Sequence, residues 1–429
     1  MNNSAQPRFF YQFLGVHSLL IGLLPFFLPV FLWQHGIDLA ALSILIGISG
    51  LCFAASLGLW QKWSCSWPLL RLVKITFVLE LLLVACVGLL TSVPGAALFE
   101  TVSVASGGSA TGSQITNNQN GAAINQQLFA ALCIGIANGV YNAFFWTTQR
   151  TLFLQQLSGN DSGKQYGNFQ IFVTVVLKIG IIAGGWLLES GGIVWLLALS
   201  AGISFAASSY FAQSVSGAKQ QRSVLHQTQR VTLRESLSFS DTKGSRPVFM
   251  VDGFFLYLES HFWTLSLFFL VQEDYGRLGV AVVILALVFA ALFYLIKNRI
   301  DQLAVEQVYR SAVYLYAFSW LLRFTLDDES AGPSLWIALI VITFFSSFFR
   351  LAMNKRFFDI ARQTGQVRYL LIKSYLSQSW LGLGFLLLGV TIWCLPAAGI
   401  MMMHRDILQF IYLPAAALSL MYLRYLQDN

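Results

Sequence analysis

Charge is what this sequence has least of. Of its 429 residues only 10% are Asp, Glu, Lys or Arg, while 56% are hydrophobic. A soluble domain carries about 25% charged residues, so this chain cannot wet the surface of a soluble globule. The same balance excludes a disordered chain. Cysteine is scarce too: Cys52, Cys65, Cys86, Cys133 and Cys394 form no C-x-x-C pair, and four lie in apolar runs. That excludes a disulfide framework and a zinc site and leaves small hydrophobes. There is no G-x-x-x-x-G-K-[ST] loop to bind ATP, no H-E-x-x-H or Cys/His cluster for a catalytic metal and no G-x-S-x-G elbow. No enzyme activity and no cofactor are expected. The opening MNNSAQPRFF lacks the short apolar region and cleavage site of a secretory signal.

Long apolar runs are what the chain has instead. A spanning helix needs roughly 20 mostly apolar residues, and about twelve segments qualify. Six lie near 9–33, 39–60, 68–96, 127–148, 168–189 and 191–213; six lie near 248–271, 278–296, 311–327, 334–353, 369–395 and 406–424. The fifth and sixth are parted only by Ser190, Gly191 and Gly192. The 36 Phe and 12 Trp suit a surface facing lipid and its interfaces.

The basic residues set the orientation. With the N-terminus cytoplasmic, 21 of the 26 Lys and Arg fall in inside segments, while the outside loops hold only Arg277 and Arg405. Lys178, Arg323 and Arg350 lie within spans. The net charge of +7 is thereby explained by topology and calls for no nucleic-acid partner. Both termini are expected in the cytoplasm. Residues 97–126, rich in Gly, Ser, Asn and Gln, read as a flexible outside loop; the absence of an N-x-Ser/Thr acceptor there favours a bacterial inner membrane. Residues 214–247 are polar and basic and read as a cytoplasmic linker touching anionic headgroups. The domains are then 1–213, a six-helix bundle, and 248–429, a second one. The halves also echo each other: Phe144, Gln149, Arg150 and Phe153 match Phe349, Asn354, Lys355 and Phe358 at a constant offset of 205.

Six spans, a basic linker, six spans and both ends inside resemble a major facilitator superfamily transporter over nearly the whole chain. Gly180-Ile181-Ile182-Ala183-Gly184-Gly185 is similar to that family's glycine motif G-P-x-x-G-G, with Ile181 in place of proline. The family's charged loop between spans two and three is not intact: Gly58-Leu59-Trp60-Gln61-Lys62 has a glycine and a base but no Asp. The resemblance implies an all-α polytopic membrane protein of two pseudo-repeated six-helix bundles. It further implies secondary transport by alternating access, usually ion-coupled, with spans one, four, seven and ten lining the cavity. The expected partners are a small, amphipathic or organic solute, protons and the bilayer, and the expected state is a monomer.

Ionisable groups are costly in hydrocarbon, so each needs a reason. The seventh span holds Asp252, Glu259 and His261. Asp252 and Glu259 are two turns apart and share a face; Asp252 falls near the cytoplasmic end and Glu259 near mid-membrane. Glu259 is the candidate proton carrier, with His261, which titrates near neutrality, as a second; static charge pairing and histidine packing are the structural alternatives. Arg350 shares the depth of Asp252, and the two are candidates for an inside gate, against the alternative that Arg350 snorkels to the headgroups. Lys178, at mid-membrane in span five, is placed to bind an anionic solute or to pair with Glu259 or Glu80. Arg323 lies one turn from Asp327, as an interfacial pair. His17, Asn138, Asn142, Trp146 and Gln378 complete a candidate cavity, although each alone is more often glue between helices. A membrane-embedded enzyme or a lipid translocator on the same fold is the rival class. His404-Arg405-Asp406 is the one compact polar trio for an enzyme, and it also reads as a helix start.

The orientation is directly testable. In a cysteine-free background, a membrane-impermeant thiol reagent applied to whole cells should label Ser109→Cys and leave Ser223→Cys untouched; the reverse pattern overturns the topology.

Overall fold

The structure, a computed structural model, describes residues 5–92, 113–156, 162–217, 230–300, 305–326, 332–396, 399 and 402–426. Among these every regular element is helical. Span one is Ala5–Leu23 and Leu28–Gln34, broken where Pro25 removes a backbone donor. Spans two to six are Leu39–Ser66, Leu69–Ser92, Ser113–Gln156, Ser162–Ser190 and Gly192–Gly217. Span seven runs Ser245–Tyr257, passes through a π-helical turn at Leu258–Phe262 and continues as Trp263–Leu270. Spans eight to twelve are Tyr275–Ile300, Val305–Phe324, Pro333–Thr364, Gln366–Cys394 and His404–Ser419, the last ending in a 3-10 turn, Leu420–Leu426. Among the described residues, ten of these helices are long and apolar enough to cross a membrane. The other two spans, seven and nine, are those that carry Asp252 and Glu259, and Glu306, Arg310 and Arg323.

Local chemistry sets the boundaries. Asp38 caps span two by accepting from the Ala41 N–H at 2.8 Å. Gly192, at φ 72°, takes the left-handed conformation that lets spans five and six turn in so few residues. Residues 113–126, expected within the outside loop, instead prolong the helix of span four. Extending an existing helix requires no new nucleus, so a run of Ala, Gln, Asn and Ile suffices. The rest of that loop lies outside the described residues.

Of the expected linker, 214–247, residues 214–217 prolong span six, 245–247 begin span seven, and 230–244 dock on protein. Val231 is buried, and Gln61 of span two grips it from both sides: the Gln61 Oε1 accepts from the Val231 N–H at 2.7 Å, and Nε2 donates to the Val231 carbonyl at 3.0 Å. The same Nε2 donates to the Tyr375 hydroxyl of span eleven at 3.0 Å. A short helix, Leu233–Leu237, comes next, behind a Thr232–Glu235 capping box. The Thr232 N–H and then its hydroxyl bond the Glu235 carboxylate and hold it below its usual range.

Small residues bring the spans together. A Cβ on Gly22 or Gly180 would collide with the Leu177 or Leu19 carbonyl across the contact of spans one and five, and one on Gly184 would lie 2.8 Å from the Leu23 carbonyl. The glycine motif is thus packing surface. Gly47, Gly50, Gly382 and Gly389 do the same between spans two and eleven, one from each half. Opposite the termini, the halves meet through Trp33, whose ring lies 5.3 Å from Phe269 and 5.0 Å from His404. The Tyr275 hydroxyl donates to Gln34 there at 2.7 Å. At the end that bears the termini, the repeat-related Phe153 and Phe358 face one another at 5.3 Å.

Gly184→Leu should cost roughly 1–3 kcal/mol by overpacking, read as a lower melting temperature of the detergent-purified protein. Gly202→Leu is the control, because a Cβ at Gly202 meets nothing within 4 Å, and it should melt like the parent.

Candidate functional site

The site begins at the π turn of span seven. A π turn inserts one residue into the helical register and rotates the remainder of the helix. Here it contains Glu259, Ser260 and His261. Asp252, two turns before Glu259 in the ordinary helix, is 1% exposed. Three donors surround it: Arg350 Nη1 at 2.7 Å, Lys373 Nζ at 2.9 Å and the Tyr422 hydroxyl at 3.0 Å. Arg350 in turn reaches Glu259, its Nε donating to Oε2 at 2.9 Å, and its Nη2 donates to the Tyr316 hydroxyl at 3.4 Å. Spans seven, nine and ten therefore meet at one guanidinium, and span eleven and the end of span twelve join them through Asp252.

The two carboxylates are held unequally. Asp252 has three hydrogen-bonding partners, whereas Glu259 has one cation among the described residues, Arg350, with the Tyr316 hydroxyl beside it, and its Oε1 is buried without a hydrogen bond there. Arg350 and Glu259 keep 17% and 18% of their side-chain surface open, against 1% for Asp252 and 4% for Lys373. Asp252 is the fixed anchor of the network, and the Arg350–Glu259 pair is its accessible edge.

The expected contact of Asp252 with Arg350 is present, but the inside-gate role assigned to it is not what this geometry builds. Both residues, with Lys373 and Tyr422, belong to the same half, so their bonds cannot clamp one half to the other. Lys373, counted among the cytoplasmic loop charges, is a buried partner inside span eleven. Glu259 pairs with Arg350 and not with Lys178 or His261. His261 stacks on Tyr257 with ring centroids 4.8 Å apart and bonds Ser260 through Nδ1 at 2.9 Å.

From the other half, span four offers a ladder. Asn138 Nδ2 donates to Ser49 at 3.0 Å, Asn142 Nδ2 to Asn138 Oδ1 at 2.8 Å, and Trp146 Nε1 to Asn142 Oδ1 at 3.1 Å. Four-residue spacing puts these side chains on one helix face. Tyr257, two residues before Glu259, lies beside Ser49 and Asn138. Through Tyr257 this ladder is one place where the first half meets span seven. Gln378, on span eleven, is buried with Oε1 unpartnered.

His17 is not part of this site. It is fully buried within the first half, stacked on Phe77 at 4.1 Å, with its Nδ1 3.4 Å from Glu80 Oε2. Glu80 thereby has a partner other than Lys178, and Lys178 makes no ion pair among the described residues. Arg323 is not interfacial either. It is 2% exposed, lies over the Trp320 and Trp263 rings at 4.1 and 4.9 Å, and donates to Ser319 and Ser346 at 3.2 and 2.8 Å; Asp327 lies outside the described residues. The trio at 404–406 is structural: His404 packs on Trp33, Arg405 pairs with Glu273 at 3.3 Å, and Asp406 accepts from the Met403 N–H. A groove of about 1150 Å³ at that end, bordered by Trp186, Arg277 and Trp336, is remote from the Arg350 network.

No family model and no curated protein matches the chain. Solved structures do. The nucleoside transporter NupG superposes with a TM-score of 0.60 at 13% identity, covering 99% of both chains. The POT family transporter PepTSo gives 0.61 at 12% identity, again over 99% of both. A D-xylose–proton symporter gives 0.58 at 10% identity over 95% of this chain and 96% of that one. The chain has the major facilitator superfamily fold and is a multi-pass membrane protein.

Asp252→Asn should cost about 3–5 kcal/mol, because it leaves Lys373 and part of Arg350 buried without a counter-charge. Adding Lys373→Met should recover part of that loss. A swap of charges between positions 252 and 350 should fail to recover it, because the new guanidinium at 252 would face Lys373. Melting temperatures of the four proteins in detergent decide the matter.

Proposed function

We propose that this chain is a secondary active transporter that moves a small organic solute by alternating access and couples that movement to protons. The end bearing the termini is taken as cytoplasmic, from the distribution of Lys and Arg, and the halves 1–213 and 248–429 are taken as the rocking units. The fold supports transport. One observation supports the coupling: Glu259 is an acidic side chain inside a span, held by a single cation and open at its edge. A carboxylate with one partner has two states at small structural cost, ionised on Arg350 or protonated and released. A carboxylate held as Asp252 is has one. Proton binding at Glu259 would therefore free Arg350, and return of Glu259 to Arg350 would expel the proton. His261, packed against Tyr257, serves to shape the turn.

In this reading the cytoplasmic closure is made by Gln61, Val231, Tyr375 and the Phe153–Phe358 contact, which join the halves, rather than by Asp252 and Arg350. Rocking must break these bonds when the site opens inward.

The test uses proteoliposomes holding a trapped pH indicator. With an imposed pH gradient, a transported solute should drive proton movement in the parent protein. Glu259→Gln should abolish proton-driven accumulation while retaining solute exchange. Accumulation by a folded Glu259→Gln protein, still driven by pH, would assign coupling elsewhere.

A further inference from the structure

The charges buried around Arg350 do not cancel. Arg323, Arg350 and Lys373 bring three positive charges, and Asp252 and Glu259 bring two negative ones. Arg323 has no carboxylate in ion-pair contact among the described residues; Glu259 acts on it only through space. Lys178 of span five adds a further unmatched cation among the described residues. A surplus of positive charge inside a membrane protein is unfavourable unless an anion supplies the balance, and once Glu259 takes a proton the surplus grows by one.

The place where an anion could enter is also marked. Asp252 cannot be displaced from Arg350 without stranding Lys373 and Tyr422 as well. Glu259 can be, since Arg350 is its one ion-pair partner among the described residues, only the neutral Tyr316 hydroxyl lies beside it, and the pair is the open edge of the network. Tyr257, two residues before Glu259 on span seven, abuts Ser49 and Asn138 of the first half.

We infer that the solute is an organic anion, a carboxylate or its equivalent, which replaces Glu259 on Arg350. In the exchange, the solute's oxygen accepts from Arg350 Nε, and the released Glu259 carboxylate takes up one proton (hydronium) from the bulk solution on the side the site faces. One negative charge and one proton enter the site together, so the step leaves its net charge unchanged. Neutral relatives of the same shape would lack the charge needed to compete with Glu259. This inference rests on the transporter reading and deepens it by naming the solute class and the order of events.

The experiment uses matched pairs of probes, benzoate with benzamide and hexanoate with hexanamide, on the full-length protein in detergent. Binding is read by thermal shift and by calorimetry at two pH values. The acids should stabilise the parent protein, more strongly at the lower pH, and the amides should not. Glu259→Gln removes the competing carboxylate, so it should bind the acids about tenfold more tightly, the worth of one charge-assisted hydrogen bond, and with no pH dependence. Arg350→Lys, which keeps the charge and so favours folding, should lose the preference for acids. Equal binding of acids and amides, weaker acid binding by Glu259→Gln, or no shift from either acid overturns the anion assignment. The transporter reading is tested separately, by proton movement in proteoliposomes with neutral solutes: if these move protons and the acids do not, the chain is a coupled transporter of neutral solutes.

Discussion

A charge inside the hydrocarbon region has to be matched, and in this protein the matching is done by Asp252. Its two oxygens hold Arg350, Lys373 and Tyr422, which come from three different spans. Asp252 thereby fixes the relative positions of spans seven, ten, eleven and twelve at one depth. The rest of the site depends on what that anchor leaves over. Arg350 has donors to spare, and they reach Glu259 and Tyr316. Among the described residues Glu259 has no other cation. A fully buried ion pair and a partly open one thus share a single guanidinium.

Packing obeys a different rule. With lipid outside, no hydrophobic drive joins one span to another, and close approach of backbones does the work. Glycines at the contacts of spans one with five and two with eleven allow that approach. The second contact joins the two halves, so its smoothness matters for motion as well as stability. Where the halves are instead joined by polar bonds or edge-to-face rings, at Gln61 with Tyr375 and at Trp33 with Phe269, the contacts lie at the two ends of the molecule.

The composition, the apolar runs and the charge asymmetry were enough to read an all-α membrane protein of two similar six-span halves. These features are local: a span must be apolar along its length whatever it packs against, and loops carry their basic residues in the open. The close packing of Gly180–Gly185 and the contact of Asp252 with Arg350 were also readable, and Glu259 stood out by itself, because a buried charge is conspicuous wherever it sits. The remaining pairings were not, that of Glu259 with Arg350 included. Lys373 stood among loop charges until span eleven turned it inward, Arg323 was assigned to Asp327 by spacing and lies between two tryptophans, and His17 was assigned to the cavity and is paired with Glu80. Lys373 and His17 meet their partners on other helices, and Arg323 reaches Trp263 and Ser346 on other helices as well as Trp320 and Ser319 on its own. Spacing along one helix carries no information about which face of a second helix will oppose it, and the π turn at Leu258–Phe262 shifted the register that the spacing assumed. The sequence by itself determined which residues must find partners; the tertiary structure alone decided which partners they found, because that choice depends on distances between helices far apart in the chain.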